Sequence, residues 1–176
     1  MISTRDGFER HVLPLQDGLF HAALALTSRE ADALDLVQET LLRAWKRAST
    51  FDRGTHLKAW LYTILRNAHV DRRRGERLTL EENPEDRPQP ARDAAPGPLE
   101  TVLPDGLRAA LRTLSPAHQI LLHLCDLEGL SYAQIADVLG CPMGSVMSGL
   151  HNARTRLRKA LSDPSRAENK EAPRRG

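Results

Sequence analysis

Six prolines, at positions 84, 88, 90, 96, 98 and 104, stand in a stretch with almost no large apolar residue between Leu80 and Leu99. Proline lacks a backbone N–H and clashes with the preceding turn, so no helix continues through such a segment, and without apolar side chains it buries no core. The chain is thereby divided in two. Its 176 residues leave room for two small domains and a linker, not for a large barrel or a full doubly wound enzyme.

Charge follows the same division. Residues 1–75 hold 12 Lys+Arg against 9 Asp+Glu, residues 76–106 hold 3 against 8, and residues 107–176 hold 10 against 6. The formal net charge of +2 therefore hides two basic lobes on an acidic tether, which suits a protein that grips a polyanion at two separated points. We place the first domain at 1–75, the linker at 76–104 and the second domain at 105–161. The polar segment from Ser162 to Gly176 has no apolar periodicity and is expected to be disordered.

Enzyme chemistry finds little support. Cys125 and Cys141 allow one bridge at most and lie in no CxxC pair, and the histidines at 11, 21, 56, 69, 118, 123 and 151 form neither HExxH nor a ligand cluster. GxGxxG, GxxxxGK[ST] and GxSxG are absent, so no phosphate-cradling loop or nucleophile elbow is expected. Asp35 and Glu39 share a helical face, but a solvent-facing carboxylate pair is commoner than an acid/base pair. No metal, no cofactor and no catalytic residue are expected. No uncharged stretch reaches the roughly 20 residues of a membrane span, and the N-terminus lacks a basic-then-apolar signal pattern. A cytoplasmic location is the expectation.

Apolar spacing predicts helices throughout, an all-α fold. Phe8, Val12, Leu15, Leu19 and Leu26 define one helix, started or kinked by Pro14, and Leu34, Val37, Leu41, Ala44, Trp45 and Ala48 define another. Thr27 with Glu30 reads as a capping box at the start of the second. A loop at 51–55 precedes a helix carrying Trp60, Leu61, Ile64, Leu65 and Ala68 and ending in Arg72-Arg73-Arg74. In the second lobe, Leu107, Ala110, Leu111 and Leu114 share a face. Ser115-Pro116 opens a helix that stops at Gly129, and Ser131 with Gln134 caps a short one. Gly140-Cys141-Pro142 is a tight turn. A last helix from Met143 buries Val146, Leu150, Ala153 and Leu157. A short capped helix, a glycine-containing turn and a longer basic helix have the grammar of a helix-turn-helix.

At 100° per residue the last helix leaves Ser148, His151, Asn152 and Thr155 opposite its apolar stripe, with Met147, Arg154, Arg156 and Arg158 toward the edges. Short polar groups that reach base edges are flanked by cations that reach phosphates. A solvated basic face would look the same.

Three longer matches go further. Asp35-Leu36-Val37-Gln38-Glu39-Thr40-Leu41-Leu42-Arg43-Ala44-Trp45 resembles the polymerase-binding segment of extracytoplasmic-function (ECF) sigma factors, in the sigma-70 family. Gly54 to Asn67, with Ala59-Trp60-Leu61-Tyr62 at its centre, resembles that family's promoter-melting loop and minus-10 helix. Leu127 to Pro142 resembles its minus-35 reader. The order and spacing are the family's, and the proline-rich segment falls at its variable linker.

The resemblance implies a transcription initiation factor with a sigma-2 and a sigma-4 domain. Asp35, Gln38, Glu39 and Arg43 would meet the clamp helices of the largest subunit of core polymerase, with the flap of the second-largest as a further contact. Phe51, Thr55, His56, Lys58, Arg66, Asn67, Arg72 and Arg73 would contact minus-10 DNA, the loop capturing a flipped base. Ser145, Met147, Ser148, His151, Asn152, Arg154, Thr155 and Arg158 would contact minus-35 DNA. An anti-sigma protein is a further implied partner, and the second motif is similar to stress-response branches. Core packing is expected for Leu36, Val37, Leu41, Trp45 and Trp60. One departure matters: where the family commonly carries Ser-Arg-Leu-His-Arg, this chain has Ser148-Gly149-Leu150-His151-Asn152. With Gly149 on the rim of the recognition helix, that implies lost phosphate contacts and weaker minus-35 binding. A decoy that only binds an anti-sigma protein, and a dimeric helix-turn-helix regulator, are the other classes the sequence allows.

Overall fold

The computed structural model describes residue 2, residues 4–52, residues 56–75, the backbone of 76–82, and residues 104–162. Among the described residues eight α-helices run in order: α1 Arg5–His11, α2 Gln16–Thr27, α3 Glu30–Arg47, α4 Leu57–Glu82, α5 Asp105–Arg112, α6 Pro116–Leu122, α7 Tyr132–Leu139 and α8 Met143–Ser162. Among the described residues there is no strand. The all-α expectation holds.

Pro14 divides α1 from α2 through a 3₁₀ turn at Leu13–Leu15, because its missing N–H cannot join an α-helical ladder. Thr27 is not the cap of α3. It ends α2, its hydroxyl donates to the Ala23 carbonyl at 2.9 Å, and the positive φ of 59° at Ser28 turns the chain before Arg29 enters α3. The anticipated caps of the second lobe are in place. The Ser115 hydroxyl accepts from His118 N–H, and Ser131 and Gln134 satisfy each other's backbone donors. Gly140, at φ 61°, closes α7 in the left-handed conformation that glycine adopts without strain.

Two boundaries differ from expectation. The third long helix does not end at the arginine run. Its backbone stays helical through Gly75 to Glu82, within the segment we assigned to the linker. A lone glycine costs a helix only about 1 kcal/mol, so Gly75 does not end this one. Helix α8 likewise includes Ser162. The linker and tail assignments otherwise concern residues 83–103 and 163–176, outside the described residues.

The core also departs from a picture of two separated grips. Leu19, Leu36, Leu61 and Leu65 of the first lobe and Leu124, Ile135, Val146 and Leu150 of the second belong to one continuous buried cluster. α4 packs on α7, and α2 packs on α6 and on the π-helical turn His123–Leu127. Like charge between the lobes is overcome locally by this apolar seam and by an ion pair across it.

Candidate polymerase- and DNA-facing surfaces

Helix α3 places its motif on two faces. Leu36, Val37, Thr40 and Ala44 are buried, and the Thr40 hydroxyl satisfies itself on the Leu36 carbonyl at 2.7 Å. On the outer face Glu39 and Asp71 both bind the Arg43 guanidinium, at 2.6 and 2.7 Å. The hydrogen bond to Asp71, followed by that to Glu39, raises the Arg43 pKa further above its ordinary value, so the group is a permanent cation. Asp35 lies 3.6 Å from Arg72, which also donates to the Asp32 carbonyl. α4 therefore holds the acidic face of α3 through Asp71 and Arg72. All four expected residues, Asp35, Gln38, Glu39 and Arg43, come together.

Beside that face runs an open groove of about 490 Å³ lined by Phe8, Leu13, Gln38, Leu41, Leu42 and Trp45, with Arg5 and Glu9 at its mouth. Leu42 is 61% and Trp45 44% exposed. Core packing of Trp45 is thus only half right, since one edge meets Phe8 at a centroid distance of 5.2 Å and the rest faces the groove. Leu34, counted in the apolar stripe, is exposed as well. Apolar side chains on an otherwise charged surface mark a contact surface.

The expected minus-10 residues are scattered along α4 and its approach. Phe51 stacks obliquely on Trp60 at 4.9 Å, which makes it a wall of the loop. Thr55 lies outside the described residues. His56, Asn67 and Arg73 are exposed. Lys58 and Arg66 face the second lobe: Lys58 Nζ pairs with Glu128 Oε2 at 2.9 Å, and the Arg66 guanidinium lies under Gly140, 3.2 Å from where a Cβ would stand.

On α8, Val146, Leu150 and Ala153 are buried, while Ser145, Met147, Ser148, His151, Asn152, Thr155 and Arg158 are exposed along one side. Arg154 behaves differently. Its guanidinium grips Asp126 and reaches Cys125 Sγ, and the hydrogen bond to Asp126 pushes its pKa up. Gly149 also departs from expectation. A Cβ there would meet Leu121 Cδ1 of α6 at 2.6 Å, so the residue faces its own lobe and its glycine permits helix contact.

A further constellation crosses the seam and was not foreseen. Tyr62 OH lies 3.2 Å from His123 Nε2, His123 is 3.7 Å from Glu128 Oε1, and His21 stands behind His123. Burial, with Glu128 adding to it, raises the Tyr62 pKa, and burial lowers His123 to about 4, so both are neutral at pH 7. No group of three or more metal-ligating side chains exists among the described residues. No described helix is long and apolar enough to cross a membrane.

Comparison with known proteins matches residues 12–79 to sigma-70 region 2 and residues 105–157 to sigma-70 region 4. The ECF RNA polymerase sigma factor SigL of Mycobacterium tuberculosis is 37% identical over 82% of this chain and 83% of its own length. SigE of Mycolicibacterium smegmatis is 38% identical over 85% of this chain, which spans only 59% of that relative. Among solved structures, the sigma factor RpoE of Bartonella quintana, in complex with the anti-sigma factor NepR, superposes with a TM-score of 0.73 at 30% identity, covering 90% of this chain and 98% of that one. CnrH in complex with the cytosolic domain of CnrY gives a TM-score of 0.59 at 25% identity, covering 90% of each chain.

Proposed function

This chain belongs to the ECF sigma factors of the sigma-70 family, and on that premise we propose how its surfaces direct core RNA polymerase to promoters. The observation that carries the reading is the coincidence of the two matched regions with the two lobes, in family order. The acidic outer face of α3, with Asp35, Gln38, Glu39 and Arg43, docks on the clamp helices of the polymerase. The neighbouring Leu42 and Trp45 supply the apolar area that charge pairs alone do not. α4 and the loop before it hold the unpaired minus-10 strand through Phe51, Thr55, His56, Lys58, Arg66, Asn67, Arg72 and Arg73, phosphates meeting the cations and a splayed base meeting the aromatic wall of Phe51 and Trp60. The exposed side of α8 reads the minus-35 major groove with Ser145, Met147, Ser148, His151, Asn152, Thr155 and Arg158. Arg154 orients that helix through Asp126 and touches DNA only if released.

The flap of the second-largest subunit is the second polymerase contact, and an anti-sigma protein is the regulatory partner. RpoE and CnrH, both solved with partner proteins, support the latter by likeness. The work is binding, with no catalytic residue of the chain's own, and it takes place in the cytoplasm. The decoy reading loses its main support, because Gly149 faces Leu121 instead of marking a missing phosphate contact.

Co-purification tests the docking face. The wild-type chain should retain core polymerase, and Glu39→Lys should release it while leaving helical content unchanged, since Glu39 is partly exposed and its pair with Arg43 contributes at most about 1 kcal/mol. Full retention by that variant would remove the docking assignment.

A further inference from the structure

The seam between the lobes is built around one carboxylate. After α6, the π-helical turn lets Glu128 N–H bond the His123 carbonyl five residues back, at 3.0 Å, and Gly129, at φ 69°, then sends Leu130 N–H back to the Leu124 carbonyl. Widened turns of this kind are sparse in proteins and concentrate at functional positions. This one projects Glu128 out of its own lobe and into the other. There it is only 13% exposed, 2.9 Å from Lys58 Nζ, while Lys58 also donates to the Glu128 backbone carbonyl at 3.3 Å. Tyr62 OH, 3.2 Å from His123 Nε2, joins the same cluster.

Room for it is made by Gly18, in the first turn of α2. A Cβ at that position would collide with Glu128 Oε1 and lie 2.7 Å from Tyr62 OH. The first turn of a helix carries partial positive charge from its aligned peptide dipoles, which favours a carboxylate there. The buried His123 ring, 3.7 Å from Glu128 Oε1 and 3.2 Å from Tyr62 OH, completes the cluster. The contact therefore combines a charge pair, a hydroxyl, a helix end and a glycine whose Cβ would crowd the seated carboxylate.

Lys58, Tyr62 and Arg66 recur every four residues and form one stripe of α4. The second lobe lies on that stripe, and two of its three members are cations assigned above to minus-10 DNA. We propose that Glu128, seated against Gly18 and Lys58, is a latch that closes the sigma-4 lobe over the DNA-binding stripe of sigma-2, so that the free chain excludes the minus-10 strand until the latch is released. The inference rests on the reading of Lys58 and Arg66 as DNA contacts. One ammonium cannot serve both a carboxylate held this close and a phosphate, so closing and DNA binding compete, and apparent affinity scales with the open fraction.

Two full-length variants test it. Glu128→Gln removes the charge and keeps the volume, and Gly18→Ala wedges the seam while raising the helix propensity of α2. Each is examined by small-angle X-ray scattering and by binding of a fluorescent mixed-sequence 20-nucleotide single strand. With about nine chains in ten closed, both variants should show a larger radius of gyration and bind the strand about tenfold more tightly. Adding Lys58→Ala to Glu128→Gln should abolish most of that gain. Unchanged scattering in both variants would overturn the latch. Separated lobes without tighter binding would overturn the occlusion and with it the placement of the strand on Lys58 and Arg66.

Discussion

Helices α4 and α8 both carry the charge and polarity to face DNA, yet the fold treats them in opposite ways. α8 keeps its polar side in solvent, and the one cation withdrawn from it, Arg154, is held by Asp126 of the same lobe. α4 gives up Lys58 and Arg66 to the other lobe. A contact inside a lobe persists whenever that lobe is folded, whereas a contact between tethered lobes is an equilibrium set by their effective concentration. Access to the proposed minus-35 face of α8 is thus fixed by its own lobe, and access to the proposed minus-10 stripe of α4 depends on whether the lobes are together.

Proton uptake should break the comparison most strongly. His123 is held down to about 4 by burial, despite the nearby Glu128 carboxylate, with His21 and Lys58 adding to the depression and Tyr62 against the ring; His21, itself lowered by burial, faces Asp17 and Glu128. In an open chain His123 returns toward 6.5. Between those values the open form binds the proton and the closed form does not. The contribution to closure is fully present above about pH 6.5 and is lost as pH falls toward 4, by up to about 3 kcal/mol at the low end. Scattering at stepwise lower pH should show the lobes separating while far-ultraviolet dichroism stays helical.

Gly149→Arg should act on the α8 side alone. The new side chain meets Leu121, and overpacking of this kind costs about 1–3 kcal/mol, partly offset by about 1 kcal/mol of helix propensity. Chemical denaturation should show the net loss, and duplex binding should keep its salt slope, because position 149 faces α6. A slope steeper by one unit would restore the position to the rim.

Those residues show where the sequence was legible. Period and cap chemistry are local, so the helices of both lobes, the Ser131 box and the Gly140 stop could be read directly. The face of Gly149 could not, because glycine adds nothing to an apolar stripe and its contact lies 28 positions away, at Leu121. The seam was invisible for a similar reason. Gly18, Tyr62 and Glu128 are ordinary residues far apart in the chain, and only their juxtaposition carries meaning. The expectation of two separated grips came from net charge, which cannot report one buried pair. The acidic face of α3 was found through its motif, but its anchors Asp71 and Arg72 became evident only when α4 packed beside it.

Asp126→Ala should have the smallest effect. The pair it breaks is 42% exposed on each side, so stability changes by less than about 1 kcal/mol. Arg154 becomes available to phosphate, and the salt dependence of duplex binding should steepen by about one unit, with no change in single-strand binding. A parallel gain for single strands would mean that the two helices are not independent.

The contrast between the covered and the open helix is most directly tested by lysine reactivity. The chain has lysines at 46, 58, 159 and 170; Lys46 and Lys159 are exposed, and Lys58 is paired across the seam. Brief acetylation of the free full-length chain at neutral pH, read by mass spectrometry, should modify Lys46 and Lys159 well before Lys58, and Glu128→Gln should bring Lys58 up to their rate. Equal modification of all three in the unsubstituted chain would contradict a closed seam.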